Sequence, residues 1–213
     1  TLVDIVEYSG LKKGQEYRLV GTLMNAETGE AIQIDGKPVT AEKTFTAKKS
    51  SGTVDVTFTF DASSLAGQTT VVFEELYQDD LKLAVHTDLS DTDQQISFPE
   101  IKTTVKDSET GEHFAKAGEK VKLTDTISYK GLVPELEYTA TGTLMDVETG
   151  EQILIDDEPV TAEATFTPTE SSGTVDVVFE FDASSLKGKT TVVFESVTQD
   201  QKEVAVHADL KDE

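Results

Sequence analysis

Hydrophobic and polar residues alternate one for one along much of this chain. Val54, Val56, Phe58 and Phe60 alternate with Thr53, Asp55, Thr57 and Thr59, and a period of two predicts a strand with one face buried. Turn signals punctuate such runs: ETGE at Glu27 and Glu148, IDGKP at Ile34, SSGT at Ser50 and SLAG at Ser64; Gly, Asn, Asp and Ser cluster where the chain must reverse. Short strands separated this way predict an antiparallel β-sandwich or barrel. The one helical candidate is DASSL at Asp61 and Asp182, where Asp can cap a single turn before Gly67 or Gly188 stops it. Tryptophan is absent, so Val, Phe and Leu supply the core. The expected fold class is all-β.

The pattern repeats. Aligning Asp4 with Asp125 gives an offset of 121 residues that holds without a gap to the end of the chain. GTLM at Gly21 recurs at Gly142, PVTAE at Pro38 at Pro159, SSGTVDV at Ser50 at Ser171, and TTVVFE at Thr69 at Thr190. Repeats of this length are whole domains, unlike solenoid units that need neighbours to fold. Two full periods would need 242 residues and the chain has 213, so the segment 93–121 occurs once only, in the middle. The expected division is therefore 1–98, a first repeat without its opening strand, and 99–213, a second without its final strand.

Composition narrows the function classes. The 18 basic and 41 acidic residues give a formal charge of −23, which argues against a nucleic-acid partner, since phosphate binding needs a basic face. No apolar run is long enough to span a membrane. There is no signal peptide or sorting motif, so an exported protein would be represented here by a processed piece. Cysteine is absent; disulfides and thiolate metal sites are excluded, and any covalent staple must use other chemistry.

Parity singles out four acids. Asp4 shares its row with Leu2, Val6 and Tyr8, and Asp125 with Leu123, Ile127 and Tyr129; Glu74 lies with Val72 and Leu76, and Glu195 with Val193 and Val197. A buried carboxylate is expensive unless protonated, paired or hydrogen-bonded, so an acid on an inward row is a candidate functional group. The alternative is a bulge or edge position that returns it to water. His86 and His207 lie on the following strand-like runs, either exposed or as partners for nearby aspartates. One His with Asp88 and Asp91 lacks the cluster a metal needs, so neither metal nor cofactor is expected. His113 has no counterpart and reads as surface.

These residues form a recognisable set. V-V-F-E at Val71 and Val192, followed by H-x-D-x-x-D-x-x-Q from His86 to Gln94, resembles the VaFE repeat, a Thr–Gln ester-bond domain of Gram-positive surface proteins. The resemblance implies an immunoglobulin-like (CnaB-like) sandwich in which a threonine on the first strand attacks a glutamine side-chain amide on the last, releasing ammonia and leaving an ester. It carries the acid–histidine machinery onto Asp4, Glu74 and His86 in the first repeat and Asp125, Glu195 and His207 in the second. Gln94 becomes the acyl donor and Thr103, in IKTTVKD, the nucleophile, with Thr104 in reserve. A base must take the hydroxyl proton, and an acid must help the amide leave.

On this resemblance the chain would be a stalk piece of a wall-attached, extracellular adhesin of a Gram-positive bacterium. Its partners would be neighbouring repeats, and it would not be an enzyme. The repeat frame sets Thr103 in one repeat and Gln94 in the other, so the threonine for Gln94 must come from another chain by strand donation or from residues outside this sequence. A ligand-binding sandwich without a crosslink is the alternative. A Lys–Asn isopeptide is disfavoured because Asn25 is the only asparagine and the second repeat has Asp146 there; a Lys–Asp version stays open.

Overall fold

In the computed structural model, which describes residues 1–212, the chain folds as two all-β units, Thr1–Ser97 and Phe98–Glu213. The first contains β1 (Leu2–Tyr8), β2 (Glu16–Asn25), β3 (Gln33–Ile34), β4 (Lys37–Pro38), β5 (Thr40–Thr46), β6 (Gly52–Phe58), β7 (Gln68–Gln78), β8 (Leu81–His86) and β9 (Gln95–Phe98). The second contains β10 (Glu100–Asp107), β11 (Val121–Lys130), β12 (Tyr138–Asp146), β13 (Leu154–Ile155), β14 (Glu158–Pro159), β15 (Thr161–Phe166), β16 (Ser172–Phe181), β17 (Thr191–Gln199) and β18 (Lys202–His207). Only single 3-10 turns interrupt them, at Ser63–Leu65, Thr92–Gln94 and Ser184–Leu186. In the first and last of these, Asp61 and Asp182 accept the backbone N–H of the serine two residues on.

Each unit is a sandwich of two antiparallel sheets. In the second, β10-β11-β16 faces β15-β12-β17-β18. In the first, β1 and β6 form one sheet and β5-β2-β7-β8 the other, with β9 also on β7. Because β2 occupies one edge of β7 and β8 pairs along the other from Glu74 to Gln78, β9 continues the β8 edge toward the start of β7. There the Thr70 hydroxyl donates to the Ile96 carbonyl at 3.2 Å.

The inward rows build the cores. Ile127, Leu144, Val177, Phe179, Val193 and Val197 are buried between the sheets of the second unit. Leu23, Val56, Phe58 and Val72 hold the matching positions of the first. Gly21 and Gly142 set the sheet spacing. A Cβ on Gly142 would stand 2.7 Å from the Phe179 ring, and one on Gly21 2.5 Å from the Phe58 ring. Each glycine is also the cross-strand partner of an acid, Gly21 of Glu74 and Gly142 of Glu195. The close approach of ring to backbone therefore occurs where the carboxyl enters the core.

The units differ at one edge. In the second, β10 pairs with β11 from Glu100↔Lys130 to Asp107↔Leu123, burying Ile101 and, beside it, Ala205 of β18. In the first, β1 pairs with β6 alone among the described residues. All six residues of β8 are exposed there, including Ala84, the counterpart of Ala205.

Candidate functional site

The acids singled out by parity are inside. Asp4 and Glu74 are buried in the first unit, and Asp125 and Glu195 almost completely so in the second. Asp125 projects from the β10-β11-β16 sheet, whereas Glu195 comes from β17 in the facing sheet, where its cross-strand partner on β18 is His207. Glu74 and His86 are paired in the same way. Each unit thus brings one Asp and one Glu together between its sheets, with one His beside the Glu on the outer strand.

In the first unit Gln94 joins them. With its amide oriented to avoid setting a carbonyl oxygen against two carboxyl groups, its NH2 donates to Asp4 Oδ1 at 3.1 Å and to Glu74 Oε1 at 3.2 Å. Gln95 points elsewhere and donates to the Leu89 carbonyl. In the second unit Thr103 is half-buried on β10 and lies beside Glu195, favouring its ionised form, while Thr104 on the opposite face is exposed. Geometry therefore separates Thr103 from Thr104.

Hydrogen bonding makes the two units complementary. All four carboxyl oxygens of Asp125 and Glu195 are buried without an aligned donor, whereas in the first unit only Asp4 Oδ2 and Glu74 Oε2 are. The two oxygens satisfied there are those bonded by the Gln94 amide. Such burial raises a carboxyl pKa because the charged form loses its hydration. Burial, together with the neighbouring Asp4, pushes Glu74 up to about 9. Burial and the charge of Asp125 do the same to Glu195, also about 9. Burial lifts Asp125 only to about 6, opposed by Glu195, the Thr104 backbone and His207. The second unit therefore favours a proton on Glu195 over one on Asp125.

Sequence reading left the partner of His86 open between Asp88 and Asp91 and did not single out a partner for His207. The ring of His86 lies between Glu74 Oε2, 3.3 Å from Nδ1, and Asp91 Oδ2, 3.2 Å from Nε2. His207 Nε2 meets Asp212 Oδ2 at 2.8 Å. The aspartates two residues after each histidine instead cap local turns. The signal for the true partners was present, because Asp91 and Asp212 are themselves 121 residues apart.

A groove of about 450 Å³ lies along the free edge of β1, lined by Asp4, Ile5, Val72, Asp91, Gln94 and Ile96 among others. A second of about 450 Å³ lies against Thr103, Val105, His113, Thr191, Val193 and Asp212. His113 is exposed but borders this groove. Among the described residues no His, Cys, Asp and Glu cluster has metal-holding geometry, and no helix is long and apolar enough to cross a membrane. The close Lys–Asp pair, Lys189 Nζ to Asp146 Oδ2 at 2.6 Å, keeps Asp146 ionised and raises the lysine above its ordinary value. That state is an ion pair.

Family comparison agrees with this geometry. The model of the T-Q ester bond containing domain matches twice, over residues 1–98 and 99–213. The chain belongs to the T-Q ester bond containing domain family. No curated protein matches it. Among solved structures these T-Q domains are similar to a bacterial adhesin from Mobiluncus mulieris containing intramolecular disulfide, isopeptide and ester bond cross-links, at 12% identity and a TM-score of 0.43. That similarity covers 54% of each chain, so the match spans about half of the adhesin's length. A Bacteroides uniformis β-glucuronidase is similar at 8% identity and a TM-score of 0.35, over 95% of this chain and 25% of its own. The identification rests on the family match, which accounts for both T-Q units.

Proposed function

We propose that the chain is a pair of stalk repeats from a bacterial cell-surface adhesin, each tied from first strand to last by an autocatalytic Thr–Gln ester. The observation that carries this reading is a shared glutamate. Glu74 receives the Gln94 amide in one unit, and its counterpart Glu195 meets the Thr103 side chain in the other. A repeat holding both strands would bring hydroxyl and amide to one buried acid.

The chemistry then balances within the repeat. His207, or His86 in the first unit, oriented by its aspartate, accepts the threonine proton as the hydroxyl oxygen attacks the glutamine Cδ. The protonated glutamic acid donates toward the leaving NH2 and stabilises the tetrahedral state. The C–N bond breaks and ammonia departs with the glutamic acid's proton, the histidine passes the threonine proton on to the glutamate, and a C–O ester bond remains. Each repeat reacts once with itself, so the chain is its own substrate and not an enzyme. Closing a loop of about 110 residues restricts the unfolded chain by about 4–5 kcal/mol, by analogy with a disulfide. It also routes tension through a covalent bond. A stalk exposed outside a Gram-positive cell wall, with adjacent repeats or donated strands as partners, is where such a staple is useful without cysteine.

The test is to extend the chain past Glu213 with a second copy of residues 93–98, in frame with the repeat. The denatured product should be lighter than its sequence mass by one ammonia, and Thr103→Ala should restore the full mass. An unchanged mass in a folded extended chain would overturn the reading.

A further inference from the structure

The fold carries a charge feature that the ester chemistry does not use. Lys12 and Lys13 lie in the β1–β2 connection, and Lys48 and Lys49 in the β5–β6 connection; all four are exposed. The connections are tied to each other by Leu11 N–H to the Ser50 carbonyl at 3.0 Å, Gly14 to Ala47 at 2.8 Å and Ala47 to Gln15 at 3.0 Å. Leu11, Tyr17 and Ala47 are buried beneath them. The four lysines therefore sit on two neighbouring connections tied to each other at one end of the first sandwich. Lysine and arginine ion pairs among the described residues are made by Arg18, Lys82, Lys102 and Lys189, and none involves these four.

The fold does not require them. In the second unit the same connections are joined by Leu132 to Ser171 and Glu135 to Pro168, and the lysine positions hold Val133, Pro134, Thr169 and Glu170. The opposite charge is concentrated in that second repeat, which has 10 basic and 25 acidic residues against 8 and 16 in residues 1–98. Its β12–β15 connection exposes Glu148, Glu151, Asp156, Asp157 and Glu158. Asp157 and Glu158 replace Gly36 and Lys37 of the first repeat. Asp157 keeps a carboxylate at a φ of 67°, a left-handed conformation that glycine adopts with less strain.

We propose that the four-lysine end of the first unit docks the acidic β12–β15 connection of a second copy of this chain. Such a contact joins two different surfaces and therefore propagates from copy to copy instead of closing. The net charge of −23 repels copies at long range. Screening confines that repulsion to about 8 Å at physiological salt, so the local attraction acts only between closely approached ends and the contact is weak.

The inference is independent of ester formation and is tested on the chain as it stands. An equal mixture of ordinary and 15N-labelled protein is treated with a zero-length carbodiimide crosslinker, and the linked peptides are identified by mass. Mixed-isotope links should join the four lysines to Glu148–Glu158. They should fall roughly tenfold, the scale of a few exposed ion pairs, when all four lysines are changed to Glu. Mixing that variant with Asp156→Lys, Asp157→Lys, Glu158→Lys protein should restore links in the reversed sense. Circular dichroism checks that each variant folds. Links confined to one isotope, links spread evenly over the other lysines, or no restoration on mixing would overturn the proposal. So would tight retention of the unmodified chain on heparin without self-association, which would assign the lysines to an anionic polysaccharide.

Discussion

The Gln94 side-chain amide donates to Asp4 Oδ1 at 3.1 Å, so the 3-10 turn that carries Gln94 is fastened to β1. The same NH2 reaches Glu74 across the sandwich. In the proposed reaction the acyl donor is thereby presented between two carboxyl groups from different sheets, beside the groove along β1.

That arrangement stores a pH dependence. Glu74 and Glu195 hold their protons to about 9 in the fold, against an ordinary value of 4.5. Between these values the folded chain binds more protons than the unfolded one. The stability contributed is thus complete below about pH 4.5 and is lost as pH rises to about 9. Thermal unfolding should show Tm falling from pH 5 to 9, and Glu195→Gln, a neutral isostere, should flatten the fall for the second unit. A slope identical in the variant would show that the glutamate is not held protonated.

The glycine opposite each acid should resist substitution. Gly142→Ala places a methyl group 2.7 Å from the Phe179 ring and 3.1 Å from Val193, an overpacking cost of about 1–3 kcal/mol. Denaturant unfolding should show the loss in the second unit, while Gly118→Ala, with nothing nearer than 3.8 Å, should change little.

Much of this was legible in the residues. Alternation across Thr53–Phe60 marked β6, and the parity of Asp125 with Ile127 and Tyr129 placed a carboxyl group in the core. The 121-residue offset marked two copies of one fold. Which strands share a sheet was not legible, because β11 pairs with β16 and β12 with β17 across long separations that local periodicity does not encode. IDGKP read only as a turn, yet it folds as the small β3–β4 hairpin. The partnership of His86 with Asp91 was also hidden. It depends on the 3-10 turn at Thr92–Gln94, whereas spacing alone did not choose between Asp88 and Asp91.

Asp91 has a measurable role in the proposed reaction. Asp91 holds the His86 ring by its Nε2, fixing which nitrogen faces the incoming hydroxyl. Asp91→Asn should leave strand binding intact and slow bond formation at Gln94 on the order of 10²-fold, the lower range for misplacing a general base. A time course of adduct formation would check this, and an unchanged rate would remove the aspartate from the mechanism.

The two threonines of β10 should separate cleanly. In the chain extended past Glu213, Thr103→Ala should abolish ammonia loss and Thr104→Ala should preserve it, because only Thr103 faces Glu195. Intact mass after denaturation distinguishes them, and the reverse pattern would mean β10 slides by one residue before reacting.

The most direct measurement offers the first unit the strand that β10 provides in the second. A synthetic peptide spanning residues 99–121, added to the 213-residue chain, should lie along the free edge of β1 with its threonine opposite Val6, as Thr103 lies opposite Ile127. The account predicts an adduct that survives denaturation, weighs the sum of chain and peptide less one ammonia, and maps to Gln94. It should vanish when the peptide carries Thr103→Ala. A peptide that binds the groove with the expected affinity for its edge but never becomes covalent would contradict the assignment of Asp4, Glu74, His86 and Gln94 as an ester-forming site.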